Sequence, residues 1–318
     1  MLIKAVAQAI PTYTMSCFKI PDSLCEEMTS LIRNFWWGQG RDERKMAWMS
    51  WEKLCAPKAC GGMGFKQLKE FNLAMLAKQG WRLQTGVNSL LVRVFKVKYF
   101  PTTDFISAGL GSSPSYAWRS LLAAQDMVRK GSRWQVGNGS STRIWLDKWL
   151  PSPSTYQVSS LVTILPQDAR VEILIDKECG MWKDDLVQQV FLPHEADTIC
   201  GIALSSSLPP DKLVWAPAMN GHFSVRSAYK LAIELGRSAE SGELSDGSRL
   251  RRFWKYLWRC NVPHKVRHLA WRACKDILPT KTNLVRRKVL RESCCEECMS
   301  EEESSGHLFW GCSQARDV

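Results

Sequence analysis

The sequence predicts a mainly α fold with short β-hairpins (α+β), a helical N-terminal region being followed by a small C-terminal helical domain. Three observations predict it. Apolar residues recur at three- and four-residue spacing through most of the chain. Gly-Asn-Gly and Asn-Gly turns separate short alternating runs near residues 138 and 220. The end of the chain carries Cys295-x2-Cys298-x8-His307-x4-Cys312, which needs a compact local fold to be used.

Taken in order, Pro21-Asp22 opens a helix through Leu24, Met28, Leu31, Ile32 and Phe35, stopped by Gly38 and Gly40. Cys60 to Phe65 is a tight turn; it lacks the G-x-G-x-x-G spacing of a phosphate loop. A helix spans 68–84 and closes at Gly86. Ser89 caps the next, 90–99, which Pro101 ends. Residues 102–115 are loop-like, and 117–128 fit one helix. A hairpin is expected at 134–146 around Gly137-Asn138-Gly139, and a second at 213–225 around Asn220-Gly221. Asp184-Asp185 starts a helix through Val187 and Val190, and 224–235 form another. Basic helices, broken by Pro263 and Pro279, fill 249–291.

This divides the chain into a helical region at 1–150, a weakly patterned connector at 151–210, and a hairpin-plus-helix domain at 211–318. Residues 238–248 form a Ser/Gly/Glu-rich linker within it. The 318-residue length suits about two domains. With 45% hydrophobic and 23% charged residues, the composition is that of a globular protein with a sizeable core. Most of the 15 Trp are expected to pack rather than to stack on bases, Trp254, Trp258 and Trp271 among them, because they fall at helical spacing. No apolar run reaches membrane-spanning length, so no membrane is expected. Eight of the 12 Cys are scattered, which suits an intracellular, reducing compartment, nucleus or cytoplasm.

Three thiolates and one imidazole make a closed tetrahedral zinc site with no open position for substrate. Cys295, Cys298, His307 and Cys312 are therefore expected to hold one structural Zn2+. A one-residue slip would put Cys294 in place of Cys295. Cys260, His264, His268 and Cys274 are a second candidate set, read instead as phosphate-facing or half-buried side chains. No G-x-S-x-G is present, and no Tyr is followed by x-Asp-Asp, so no enzyme is expected. Charge points to a partner. Residues 249–291 hold fourteen Lys and Arg against one acid, Asp276, while the chain as a whole carries +12. Arg251, Arg252, Lys255, Lys265, Arg267, Arg286, Arg287 and Lys288 are the candidate contacts to RNA or DNA, mainly through phosphates.

His222-Phe-Ser-Val-Arg-Ser-Ala-Tyr229, Trp254 to Trp258, Val262-Pro-His-Lys265, Trp271, Leu278-Pro-Thr280 and Asn283-Leu284, followed by the Cys/His set, resemble the reverse-transcriptase zinc-binding domain of plant non-LTR (LINE-type) retrotransposons. Ile3 to Tyr13, Phe35-Trp-Trp-Gly38, Gly61 to Phe65 and Trp134 to Gly139 resemble the stretch after the polymerase core in those polyproteins. The resemblance implies a fragment lacking the palm aspartates upstream and the RNase H carboxylates downstream. It implies a non-catalytic zinc-binding and nucleic-acid-binding piece, with a protein-interaction scaffold and a translated remnant without selected function as the alternatives.

Overall fold

The structure, a computed structural model, describes residues 2–39, 45–86, 89–152, 155–161, 164–236 and 247–316. A π-helical turn at Ile3–Ala7 precedes α1 (Thr12–Cys17), α2 (Asp22–Trp37), α3 (Trp51–Cys55), α4 (Leu68–Gln84), α5 (Leu90–Tyr99), α6 (Tyr116–Leu122) and α7 (Gln125–Gly131). Then come β1 (Ser132–Gln135), β2 (Ile175–Asp176), β3 (Met181–Trp182), α8 (Asp184–Val190), α9 (Pro193–Cys200) and β4 (Lys212–Trp215). The chain continues through α10 (Val225–Gly236), α11 (Gly247–Arg259), α12 (His264–Cys274) and α13 (Lys281–Arg286). A π-helical turn at His307–Gly311 and α14 (Ser313–Arg316) finish it. The fold is mainly helical with a few short antiparallel strand pairs, as the sequence predicts. The linker expected at 238–248 lies mostly outside the described residues.

Two compact units interleave in sequence, rather than following the consecutive segments drawn from composition. One takes residues 1–11, 21–68 and 239–318, the other 12–20 and 69–238.

The second unit has two apolar cores. The first gathers α4 to α7 and α10 around Trp118 and Trp215, both fully buried. Trp215 Nε1 donates to Ser227 Oγ at 2.9 Å. Gly131 is needed because a Cβ there would enter the Trp215 ring. Ser89 caps α5, its hydroxyl accepting from Val92 N at 3.4 Å. The helix expected over 117–128 is instead two, α6 and α7, separated at Ala123-Ala124. The second core lies within 136–199 around Ile144, Trp149, Leu174 and Ile199.

Both expected hairpins are corrected. β1 pairs antiparallel with β4, Ser132 opposite Trp215 and Gln135 opposite Lys212, so the strands join segments some eighty residues apart. The hairpin in this unit is β2–β3, Ile175 opposite Trp182. The reason is Asp211. Its Oδ1 accepts from Gly137 N and Gly139 N at 2.8 Å, and its Oδ2 from Ser141 N (2.8 Å), Thr142 N (3.0 Å) and Thr142 Oγ1 (2.9 Å). The two glycines serve close approach. A Cβ on Gly137 would strike Pro209 O, and Gly139, at φ +73°, lies against the Val171–Glu172 backbone. Asn220-Gly221 likewise turns back only far enough for Gly221 O to accept from Trp215 N at 2.8 Å.

In the first unit, Trp271 is fully buried and its Nε1 donates to Gly61 O at 2.9 Å. Gly61 has φ +78°, and a Cβ there would lie 2.6 Å from Trp254 Cε2. The turn that the sequence excludes as a phosphate loop is thus the seat on which α11 and α12 rest. Phe65 stacks on Trp51 at 5.3 Å and 9° beside it.

Burial raises the Asp211 carboxyl pKa, but the N–H donors of Gly137, Ser141 and Gly139 outweigh it and leave the pKa lowered. Its stabilisation is therefore complete at neutral pH and lost as pH falls through the folded-state value. Asp211→Ala should cost roughly 2–4 kcal/mol in urea unfolding near pH 7, and the deficit should shrink on acidification. A loss below about 0.5 kcal/mol would contradict the clamp.

Candidate metal centre

The loop after α13 is positioned by one acid. Asp276 sits at φ +51° at the end of α12. Its carboxylate accepts from Ser305 Oγ at 3.0 Å, Asn283 Nδ2 at 3.2 Å and Arg286 Nη1 at 2.9 Å. Asn283 also donates to Leu278 O at 3.0 Å, and Thr280 caps α13 through Asn283 N. From the other side, Glu303 accepts Lys281 N and Thr282 Oγ1, at 3.1 and 2.8 Å. The middle of the Cys/His segment, between Cys298 and His307, is thereby fastened to α13 and the end of α12.

From either side of that fastening, the Sγ atoms of Cys295, Cys298 and Cys312 and a ring nitrogen of His307 come within 4.8 Å of one another. Cys295, His307 and Cys312 are buried. Two backbone bonds shape the cluster: Cys295 N donates to Glu301 O at 2.9 Å and Cys312 N to His307 O at 2.8 Å. His307 Nε2 lies 3.4 Å from Cys298 Sγ, and Nδ1 lies 3.1 Å from Glu301 Oε2. The carboxylate thus orients the ring from behind, a common arrangement for a ligating imidazole. Hydrogen bonds from Ser300 and from the Glu301 backbone lower the Cys298 thiol to about 6. Hydrogen bonding with Cys295, then Glu301 and Cys298, raises His307. A tetrahedron with Zn–S bonds of ~2.3 Å has edges of about 3.8 Å, so donors lying within 4.8 Å of one another need draw in by no more than about 1 Å to hold such an ion. Cys294 stands outside the cluster, exposed, with its Sγ toward Cys295 O at 3.8 Å. Cys260, His264, His268 and Cys274 form no such group among the described residues.

The basic candidates divide. Arg251, Arg252 and Lys255 on α11, Lys265 on α12 and Lys288 after α13 are exposed and in no ion pair among the described residues. Arg286 is paired with Asp276, and Arg287 Nη2 donates to Trp48 O at 3.2 Å. Arg267 is half-buried, its Nη1 donating to Trp258 O at 3.1 Å. Sequence reasoning missed Glu301 and Asp276 as organising residues. The single acid inside a basic run was the available signal for Asp276; Glu301 was indistinguishable from its acidic neighbours.

The Cys/His cluster lies in a segment that has a family match. Residues 223–318 match the family described as zinc-binding in reverse transcriptase, an accessory rather than a catalytic domain. An uncharacterized mitochondrial protein of Arabidopsis thaliana is 40% identical over 143 residues, 45% of this chain and 93% of that protein. A putative ribonuclease H protein of the same plant is 27% identical over 321 residues, 98% of this chain and 50% of that protein. The chain belongs to the plant retrotransposon-derived proteins that carry the reverse-transcriptase zinc-binding domain. It spans about half the length of the second relative. Among the described residues, no helix is long and apolar enough to cross a membrane.

Cys294→Ser should leave the metal content of the purified chain unchanged, and Cys295→Ser should reduce it to background, by plasma emission spectrometry. The reverse pattern would move the ligand set by one residue.

Proposed function

We propose that this chain is a non-catalytic, nucleic-acid-binding piece of a retrotransposon polyprotein, in which one structural zinc holds a basic helical surface in shape. Cys295, Cys298, His307 and Cys312 would hold the ion, which contributes folding energy to a segment too short to close on its own. The observation that carries the binding reading is the charge on α11. Arg251, Arg252 and Lys255 are exposed on the helix that buries Trp254. Such a face neutralises phosphates of either RNA or DNA without reading sequence. The names of the relatives, a reverse-transcriptase domain and a putative ribonuclease H protein, support the same partner class. The irregular spacing of eight of the 12 Cys suits a reducing intracellular compartment, nucleus or cytoplasm.

The test is anisotropy with a labelled duplex against KCl. Each phosphate neutralised contributes a log–log slope of about −0.9, so a slope of about −3 or steeper is expected. Reversing Arg251, Arg252 and Lys255 to Glu should weaken binding at least tenfold and flatten that slope. Reversing Arg286 should lower stability more than affinity, because it leaves Asp276 without its cation. A flat slope in the parent chain, or unchanged affinity in the triple variant, would overturn the reading.

A further inference from the structure

The first unit contains a cavity of about 510 Å³, the size of a small-ligand site. Its walls are apolar and aromatic: Trp36, Met63, Phe65 and Trp258. Lys4, Lys58, His264, Arg267 and His268 surround them, and among the described residues no carboxylate lines the space. The rings are connected. Trp36 meets Phe65 edge-on at 5.0 Å and 76°, and His268 lies 6.0 Å from Trp36 and 5.8 Å from Trp258. The lysines rest on ring faces, Lys58 Nζ 4.6 Å from the Trp258 centroid and Lys4 Nζ 5.9 Å from that of Phe65.

Two further observations narrow the occupant. Of the six buried side-chain nitrogens without a hydrogen-bond partner among the described residues, three belong to lining side chains: Trp36 Nε1, Trp258 Nε1 and Arg267 Nε. Buried donors left unpaired are costly, and a ligand rich in ring and carbonyl acceptors offers them partners. The space is also crowded with positive charge. Burial lowers the pKa of His268, and Arg272, Lys58 and His264 lower it further; burial and then Lys58 lower that of Lys4. An anion would relieve this repulsion. A simple hydrophobe would not, and a metal cation would add to it.

We propose that this cavity binds one nucleotide of a single strand, its unstacked base among Trp36, Phe65 and Trp258 and its phosphate at Lys4, Lys58 and Arg267. Flat rings accept any base face, and lysine or arginine beside them accepts the phosphate. The inference rests on the nucleic-acid reading and sharpens it. The α11 face would hold strands of any kind, whereas the cavity favours single strands, since a paired base cannot enter it. Arg267 then serves the cavity rather than the open phosphate face.

The test uses the full chain with its metal and four probes: adenosine 5′-monophosphate, inorganic phosphate, a single-stranded oligothymidylate and a duplex of equal length. Calorimetry should show the nucleotide binding at least tenfold tighter than phosphate. Lys58→Glu should weaken nucleotide and single-strand binding at least tenfold while changing duplex affinity less than threefold. Trp258→Leu, if folded by circular dichroism, should do the same; if it does not fold, Lys58→Glu decides alone. Equal binding of phosphate and nucleotide, no nucleotide binding at millimolar concentration, or nucleotide affinity untouched by Lys58→Glu would overturn the cavity site. In each of those cases steep salt dependence with the duplex leaves the α11 reading standing; its absence sinks that reading separately.

Discussion

The first unit depends on one hydrogen bond, from the Trp271 indole to the Gly61 carbonyl. It joins residues 210 apart in sequence, and the indole it fixes has no solvent exposure. A buried indole of this kind is worth about 3–5 kcal/mol. Around it the Gly61 turn lets α11 and α12 come down onto backbone, where a Cβ on Gly61 would lie 2.6 Å from Trp254 Cε2. Without that seat, the N-terminal strip and the basic helices have no common core. The cavity, whose lining comes from 2–5, 35–36, 58–65 and 258–268, would not exist.

Charge is the second organising quantity, and it works by exception. One carboxylate within the basic run, Asp276, gathers Asn283, Arg286 and Ser305 and so connects α13 to the Cys/His loop. Glu301 does the analogous task at the cluster by orienting His307. Arg251, Arg252, Lys255 and Lys265 are exposed and, among the described residues, in no ion pair, and they form the surface proposed above for phosphates. The same logic places Asp211 in the other unit, where one carboxylate gathers the N–H groups of a glycine loop. Asp211, Asp276 and Glu301 thus each hold a loop in place.

Local features were legible in sequence. The helix at Leu68–Gln84 and the Ser89-capped helix at Leu90–Tyr99 follow from periodicity and capping residues alone. The Cys/His set was legible because its spacing is a local constraint. Features that need distant partners were not. Gly137-Asn138-Gly139 carries a hairpin signature, yet its glycines serve approach to Pro209 and donation to Asp211. Trp258 reads as core by spacing but faces the cavity, and Arg267 and Arg286 read as surface cations but are drawn to Trp258 O and Asp276. The cavity itself could not be read, because four separated segments build it.

The proposed nucleic-acid surface belongs to a unit assembled from residues 1–11, 21–68 and 239–318. Hydrogen exchange of the full chain, with and without a saturating single-stranded oligonucleotide, tests it most directly. New protection should fall together on 2–5, 58–65 and 251–268, segments adjacent in the fold and far apart in sequence. Protection confined to 251–268, or placed within 69–238, would contradict it.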